Sequence, residues 1–484
     1  MKKLSAIFSF HLIVVLLVLP LGLLRSQTTT GFSGKKFSYP IRDANDLTVK
    51  ALVTGTNAKQ ITGSQLSITG FKVQTFRNGD INQIELIAEA PECLLDRSTS
   101  IATSSGPIKV YNASTNLLIE GVGFYCQQSN TFIVISNQVE TTINKAGFKS
   151  AQKNKKNSTP SPASAGTNQI LKIFADHFVY QNESNLVTYT GNVRVLDALI
   201  EMTADILTIQ LSTNHSIQQI NADHHVVMVN RKDHSRFTGG HAVYVLNADE
   251  ETIQLTGDPV WRDGEREGHA DIFFFDRKQN VILAQPNARF KFPREQFGRM
   301  NLLNAPTDSK TNSATNQWVQ MTSDRATFQL TTNGSIQKVI AQTNVVIWSE
   351  SDDSRATAQQ AVYDETTGIL ELTGEPFWRF KDNEISAKQL VFDKTNRTFT
   401  AETKAHLKFP AKMLSHKNQT NSAPRWLEVF SDEFFYQTNH AWFRENVRAV
   451  TDDETNHTTL LARFLHVTLG LSNQLESIVA HEKV

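Results

Sequence analysis

Cysteine is nearly absent: the 484 residues hold two, Cys93 and Cys126. Neither sits in a CxxC pair or beside histidine at zinc spacing, which argues against a structural zinc site. In an oxidising compartment the two could form one disulfide; the alternative is two buried free thiols. Proline is sparse at 13, and an excess of one charge is missing as well. Lys+Arg and Asp+Glu both number 48, so the formal net charge is zero, without the basic excess of a general nucleic-acid binder. No GxSxG, HExxH or phosphate-binding glycine loop occurs. Beyond residue 30 no stretch sustains helical periodicity, and none is long and apolar enough to span a bilayer.

The one long apolar run is Ile7 to Leu24, broken only by Ser9 and His11 and preceded by Lys2 and Lys3. Residues 1–26 therefore read as an export signal or a membrane anchor, with residues 4–24 as the anchoring helix. No cysteine follows, which excludes a lipoprotein anchor. Either reading puts the rest of the chain outside the cytoplasm. Residues 27–60 are polar and rich in Gly, Thr and Lys, and read as a tether.

What the chain does have is short strands. Val187, Tyr189, Val193 and Val195 alternate with polar neighbours, as do Leu207, Ile209 and Leu211, so one face of each strand meets an apolar interior. Asn78-Gly79, between two such runs, is a hairpin signal. The strands recur in a repeat. Thr203–Met228 returns at Thr322–Ile347 with an offset of 119 and no gap, pairing Asp205 with Asp324 and Asn214 with Asn333. Further on, Leu255–Trp261 matches Leu372–Trp378, and Lys291-Phe292-Pro293 matches Lys408-Phe409-Pro410. A weaker third copy begins near Leu461.

The expected organisation is a β domain at 61–145, a flexible Pro/Ser/Ala-rich linker at 149–169, and repeats at 170–294, 318–411 and, incompletely, 426–484. Polar segments 301–317 and 412–425 each follow a Phe-Pro and precede a Trp, and read as loops that leave the array and return. The incomplete last unit predicts an open edge for strand addition by a partner. Residues Val193, Val195, Leu207, Ile209 and Leu211, with Ala326, Phe328 and Leu330 in the second unit, are the candidate lining of an apolar groove. If the fold is open-sided, acyl chain is its natural cargo, because each buried methylene contributes about 0.8 kcal/mol. His224-His225 reads as strand or turn rather than a metal site, since neighbours on a strand point to opposite faces. The paired acids Asp352-Asp353 and Asp452-Asp453 read as loop residues. Trp261 and Trp378, at equivalent repeat positions, suit either sugar stacking or a structural role.

Ala175-Asp176, then Tyr189-Thr190-Gly191-Asn192-Val193, then Ala204-Asp205 and Ala222 to Val226 resemble the OstA-like (organic-solvent-tolerance) family, which includes the periplasmic lipopolysaccharide-transport bridge. Two departures stand out: the closing turn lacks its glycine, with His225 where asparagine is expected, and Glu445 replaces glycine in the last copy. Phe76, Gly79-Asp80 and Leu86–Ala90 resemble the bridge's membrane-anchored companion. The resemblance implies an all-β protein of β-jellyroll repeats in an extended, open-ended array, in the periplasm, with no enzymatic activity and no cofactor. It also implies partners: lipopolysaccharide or a similar glycolipid, and an inner-membrane transporter complex and an outer-membrane assembly protein joined through edge strands. Two other classes compete. One is a cargo-free structural module. The other is a carbohydrate-active β-helix enzyme, which the long repeat period disfavours because such rungs take roughly 20 to 30 residues.

Overall fold

The computed structural model describes residues 33–42, 48–112, 116–127, 132–144, 170–212, 217–246, 250–294, 318–332, 334–350, 353–410, 426–453, 456–469 and 475–482. The signal or anchor segment, the linker and both polar loops thus lie outside the described residues. Among the described residues no helix is long and apolar enough to cross a membrane.

The protein is all-β, one antiparallel sheet of 32 strands in which nearly every neighbour in space is a neighbour in sequence. Seven strands open it: β1 Ser33–Arg42, β2 Val49–Gln60, β3 Gln65–Phe76, β4 Ile84–Asp96, β5 Ile101–Asn112, β6 Leu117–Gln127 and β7 Phe132–Asn144. β8 Ile170–Ala175 and β9 His177–Gln181 form one interrupted rung, followed by β10 Leu186–Leu196, β11 Ile200–Leu211, β12 Ile217–Asn230 and β13 Arg236–Leu246. Interrupted rungs then dominate: β14 Glu251–Thr256 with β15 Val260–Asp263, β16 Arg266–His269 with β17 Ile272–Asp276, β18 Val281–Gln285 with β19 Ala288–Pro293, and β20 Trp318–Ser323 with β21 Arg325–Leu330. The rest are β22 Ile336–Ser349, β23 Ser354–Asp364, β24 Ile369–Thr373 with β25 Phe377–Phe380, β26 Asn383–Ser386 with β27 Gln389–Asp393, β28 Thr398–Pro410, β29 Trp426–Gln437, β30 His440–Asp453, β31 Asn456–Leu469 and β32 Leu475–His481. Eighteen single strands and seven interrupted ones make twenty-five rungs.

Most rungs bend in the middle. The bend is a pair of residues in the left-handed region: Gly191-Asn192, His224-His225, Thr343-Asn344, Thr403-Lys404 and Glu445-Asn446 all have positive φ, between 48° and 78°. The ladder loses register at each of these pairs. Across four of these five bends an aspartate of a neighbouring rung receives the second residue's side chain. Asn192 Nδ2 donates to Asp176 Oδ2 at 2.7 Å, Asn344 Nδ2 to Asp324 Oδ2 at 2.9 Å, and Asn446 Nδ2 to Asp432 Oδ2 at 2.6 Å. His225 takes the asparagine's place, with Nδ1 2.8 Å from Asp205 Oδ2. The missing asparagine is thereby replaced in kind, and the pair of histidines serves the bend. Buried residues flank each corner, as with Ala175 and Val193 or Ala341 and Val345. The two halves of the bent sheet close on a single apolar cluster that runs from Ile41 to Leu465.

The repeated stretch superposes in register. Leu207 faces Ala222 and Ile209 faces Ile220 in one copy; Ala326 faces Ala341 and Phe328 faces Val339 in the other. The tether reading fails for residues 33–60: β1 and β2 are paired strands, and Ala51, Val53 and Ala58 are buried. A strand needs apolar residues only at alternate positions, so polar composition did not exclude it. Nor is the segment around 149–169 a break in the sheet, because β7 pairs with both β8 and β9, Asn144 opposite Ile170.

Turns alternate between two rims. The first rim holds the turn from β1 to β2 and every second turn after it; the second rim holds the others. The three longest connections, from Asn144 to Ile170, Pro293 to Trp318 and Pro410 to Trp426, all leave from and return to the first rim. At two of them the same clasp recurs, with Lys291 Nζ 4.4 Å above the Trp318 ring and Lys408 Nζ 4.8 Å above Trp426.

Cys93 and Cys126 are free thiols. They lie on β4 and β6 with β5 between, and Cys126 is level with Leu95, two residues along from Cys93; the two strand spacings alone come to about 9.6 Å, whereas a disulfide spans Cα atoms up to about 7 Å. Of the two expectations, the disulfide is the one this geometry opposes. Burial pushes both thiols up to about 12, with Cys126 adding to the effect on Cys93.

Two outcomes follow. Gly191→Ala places a methyl 2.6 Å from Asp176 Oδ2 at φ +78° and should cost about 1–3 kcal/mol in urea denaturation, whereas His225→Asn should be close to neutral. Folded thiols hold their protons while unfolded ones release them near 9.0, so that part of the stability is full below pH 9 and lost as pH rises toward 12. Urea midpoints across that window should fall, and Cys93→Ala should flatten the decline.

Candidate functional site

The interior is packed along most of its length. Where the second half of the first repeat meets the second repeat it is not, and a cavity of about 430 Å³ remains. Its floor is aromatic. Phe237 and Phe275 have ring centroids 4.7 Å apart, as do Phe290 and Phe328, and Trp261 lies 5.9 Å from Phe328 and 6.4 Å from Phe237. These rings come from β13, β15, β17, β19 and β21, inward positions of five rungs. Rigid flat side chains that meet edge to face leave space that flexible aliphatics would fill. Met228, Ile282 and Leu330 complete the apolar wall.

The lip of the cavity is polar and mixed in sign, with Lys232, Arg266 and Arg277 beside Asp233, Asp263, Asp276 and Glu365. Burial raises Asp263 above the ordinary carboxylate range, against the pull of Arg266, whose Nη1 lies 3.5 Å away. Arg277 is the most enclosed of these groups. Its Nη1 lies 2.6 Å from Asp197 Oδ2 and 3.2 Å from Glu251 Oε1. Burial works against its charge, but Asp197, Tyr244 and Glu251 outweigh that and raise it.

The candidate lining residues divide. Phe328 and Leu330 line the cavity. Val193, Val195, Leu207, Ile209 and Ala326 are buried in the continuous core, and Leu211 packs against it half-buried. Sequence reading missed Trp261, Phe237, Phe273, Phe275 and Phe290 as cavity walls. The signal was present in the cluster Phe273-Phe274-Phe275 and in the Lys-Phe-Pro strand, but alternation alone does not say where packing fails. Trp261 is 6% and Trp378 1% exposed, so neither has a free face for sugar. Among the described residues no three His, Cys, Asp or Glu side chains form a group that could hold a metal. Asp353 sits in a turn, and Asp352 lies outside the described residues.

The sequence profile of a family described as "LptA/(LptD N-terminal domain) LPS transport protein" matches residues 172–281. Residues 172–281 are therefore similar to an LPS-transport domain. The matched stretch runs from β8 to the start of β18 and carries two of these corners, Gly191-Asn192 and His224-His225, and most of the aromatic floor. It supports involvement of the chain in LPS transport. The match begins beyond the strands at 61–145, so it does not bear on their likeness to the membrane-anchored companion. None of the curated proteins matches the chain.

Phe328 is 3% exposed and Leu330 only partly buried. Phe328→Ala should therefore cost about 3–5 kcal/mol and Leu330→Ala clearly less than the 2–5 of a fully buried leucine. Urea denaturation of both variants checks the order.

Proposed function

We propose that this protein is a non-enzymatic carrier of an acylated glycolipid of the lipopolysaccharide type, working between the inner and outer membranes. The observation that carries the reading is the aromatic cavity set in a continuous apolar interior. Its volume of about 430 Å³ falls in the usual range of small-molecule ligand pockets, room for part of an acyl chain. About ten methylenes transferred there would contribute roughly 8 kcal/mol, more than the mixed-charge lip could add. The similarity of residues 172–281 to an LPS-transport domain supports the same cargo and a place in the cell envelope.

In this reading Phe328 and Leu330 touch cargo, and the buried residues Val193, Val195, Leu207, Ile209 and Ala326 with half-buried Leu211 form the apolar wall from which the cavity continues. The strands at 61–145 dock the array toward an inner-membrane transporter, and the far end toward an outer-membrane assembly protein, through edge-strand pairing. Residues 1–26 export or anchor the chain.

A photocrosslinking residue at Phe328 should capture lipopolysaccharide in cells, and one at the outward neighbour Thr327 should not. Capture at Thr327 alone would overturn the assignment. Mass spectrometry of the purified protein should find bound acylated lipid; its consistent absence would favour the cargo-free structural role.

A further inference from the structure

The two rims do not simply face each other across an open mouth. They touch, and each contact joins a first-rim turn to the second-rim turn five further along. Asp197, between β10 and β11, meets Arg277, between β17 and β18. Asn230 and Asp233, after β12, meet Gly334, before β22, where an added methyl would lie 3.1 Å from Asn230 Nδ2. Arg266, at the start of β16, and Glu365, at the end of β23, line the same cavity, and the Arg266 charge is felt at Tyr363. One ion pair and two juxtapositions at the same stagger point to a rolled sheet whose lips come together along the cavity.

Only the first of these contacts is a buried ion cluster. The Asp197 side chain is 7% exposed and that of Arg277 14%. Asp197 Oδ1 accepts the N–H groups of Leu199 and Ile200, both at 2.7 Å, which orients its other oxygen toward Arg277. Tyr244 Oη donates to Glu251 Oε1 at 2.9 Å, which steadies the second carboxylate. Arg231 Nη1 donates to the Asp197 carbonyl at 3.1 Å. Leu199, Ile200 and Arg277 all stand in the cavity wall. Parting the rims here leaves a guanidinium and a carboxylate without each other in a poorly hydrated place, so the closed arrangement is favoured.

We propose that the Asp197–Arg277–Glu251 cluster is a latch that governs the sideways passage of an acyl chain between the rims into and out of the cavity. The identity of what passes rests on the carrier reading above; the latch itself rests on the contacts between the rims. A latch sets a barrier common to entry and exit. Weakening it therefore speeds both and leaves affinity nearly unchanged, whereas loss of a ligand contact acts mainly on release.

The test uses the full chain and a fluorescent palmitate analogue in stopped flow. Asp197→Asn keeps an acceptor for Leu199 and Ile200 but drops the charge, and Arg277→Gln drops the other partner. Both should raise the entry and exit rates together, by about tenfold, with Kd moving less than about twofold. Arg277→Lys should lie nearer the unaltered protein. Arg194→Gln, which breaks the surface pair with Glu201, should change nothing. Unaltered rates in Asp197→Asn and Arg277→Gln, or a change in Kd carried by the exit rate alone, would overturn the latch. If the unaltered protein takes up no palmitate, the carrier reading fails, and amide exchange decides the latch by itself. Faster exchange at Leu199 and Ile200 in Arg277→Gln, across the mouth from the substitution, sustains it, and unchanged exchange overturns it. Should Asp197→Asn fail to fold, the two Arg277 variants carry the same comparison.

Discussion

Everything in this fold depends on the corner, where two residues turn left-handed in mid-strand and a neighbouring carboxylate holds the second. An antiparallel sheet of this length without corners would have one apolar face and nothing to cover it. The paired left-handed residues fold each rung so that the sheet covers itself. Left-handed backbone is costly for residues other than glycine, and here histidine, threonine, lysine and glutamate adopt it. Buried residues on either side, and at four of the five pairs an aspartate bond to the second residue, offset that cost. Asp176, Asp205, Asp324 and Asp432 are thus architectural groups, and their exposure and periodicity imply no chemistry.

Stacking bent rungs yields a core that is long rather than round. Backbone pairing runs between successive rungs, as in solenoid proteins, and the ring contacts reach only two or three rungs away, so changes in side-chain size have local effects. That is why a cavity can exist at the junction of the repeats while the flanking core stays closed. In the second unit Ala326 stands where the first has Leu207, whereas Phe328 and Trp261 bring large rings to the same interior. The rings meet one another before they meet the opposite wall. The mixed lip then determines how the two rims sit, and Arg277 is the group about which that seam is organised.

Much of the fold was legible. Alternation at Val187–Val195 and Leu207–Leu211 marked the inward face, and the Ala-Asp and Gly-Asn-Val elements marked the corners through their likeness to a known family. What stayed hidden follows from physics that leaves no local pattern. His225 could not be equated with asparagine until its ring was seen against Asp205. Residues 33–60 looked like a tether because strands facing water on one side tolerate Lys, Thr and Gly. Asp197 and Arg277 are 80 positions apart, and nothing in either neighbourhood announces the other. Trp261 and Trp378 were visible as equivalent, but only packing distinguished a floor for a cavity from a platform for sugar.

The parity of the turns has a consequence of another kind. In a meander every second turn lies on the same flank, and the three long connections obey that rule. Counted in rungs, their points of departure are eight and six apart, or about 38 Å and 29 Å along the array. The chain therefore offers three attachment points on one side at known intervals, like marks on a ruler. Labels carried there would report the orientation and extension of a single molecule.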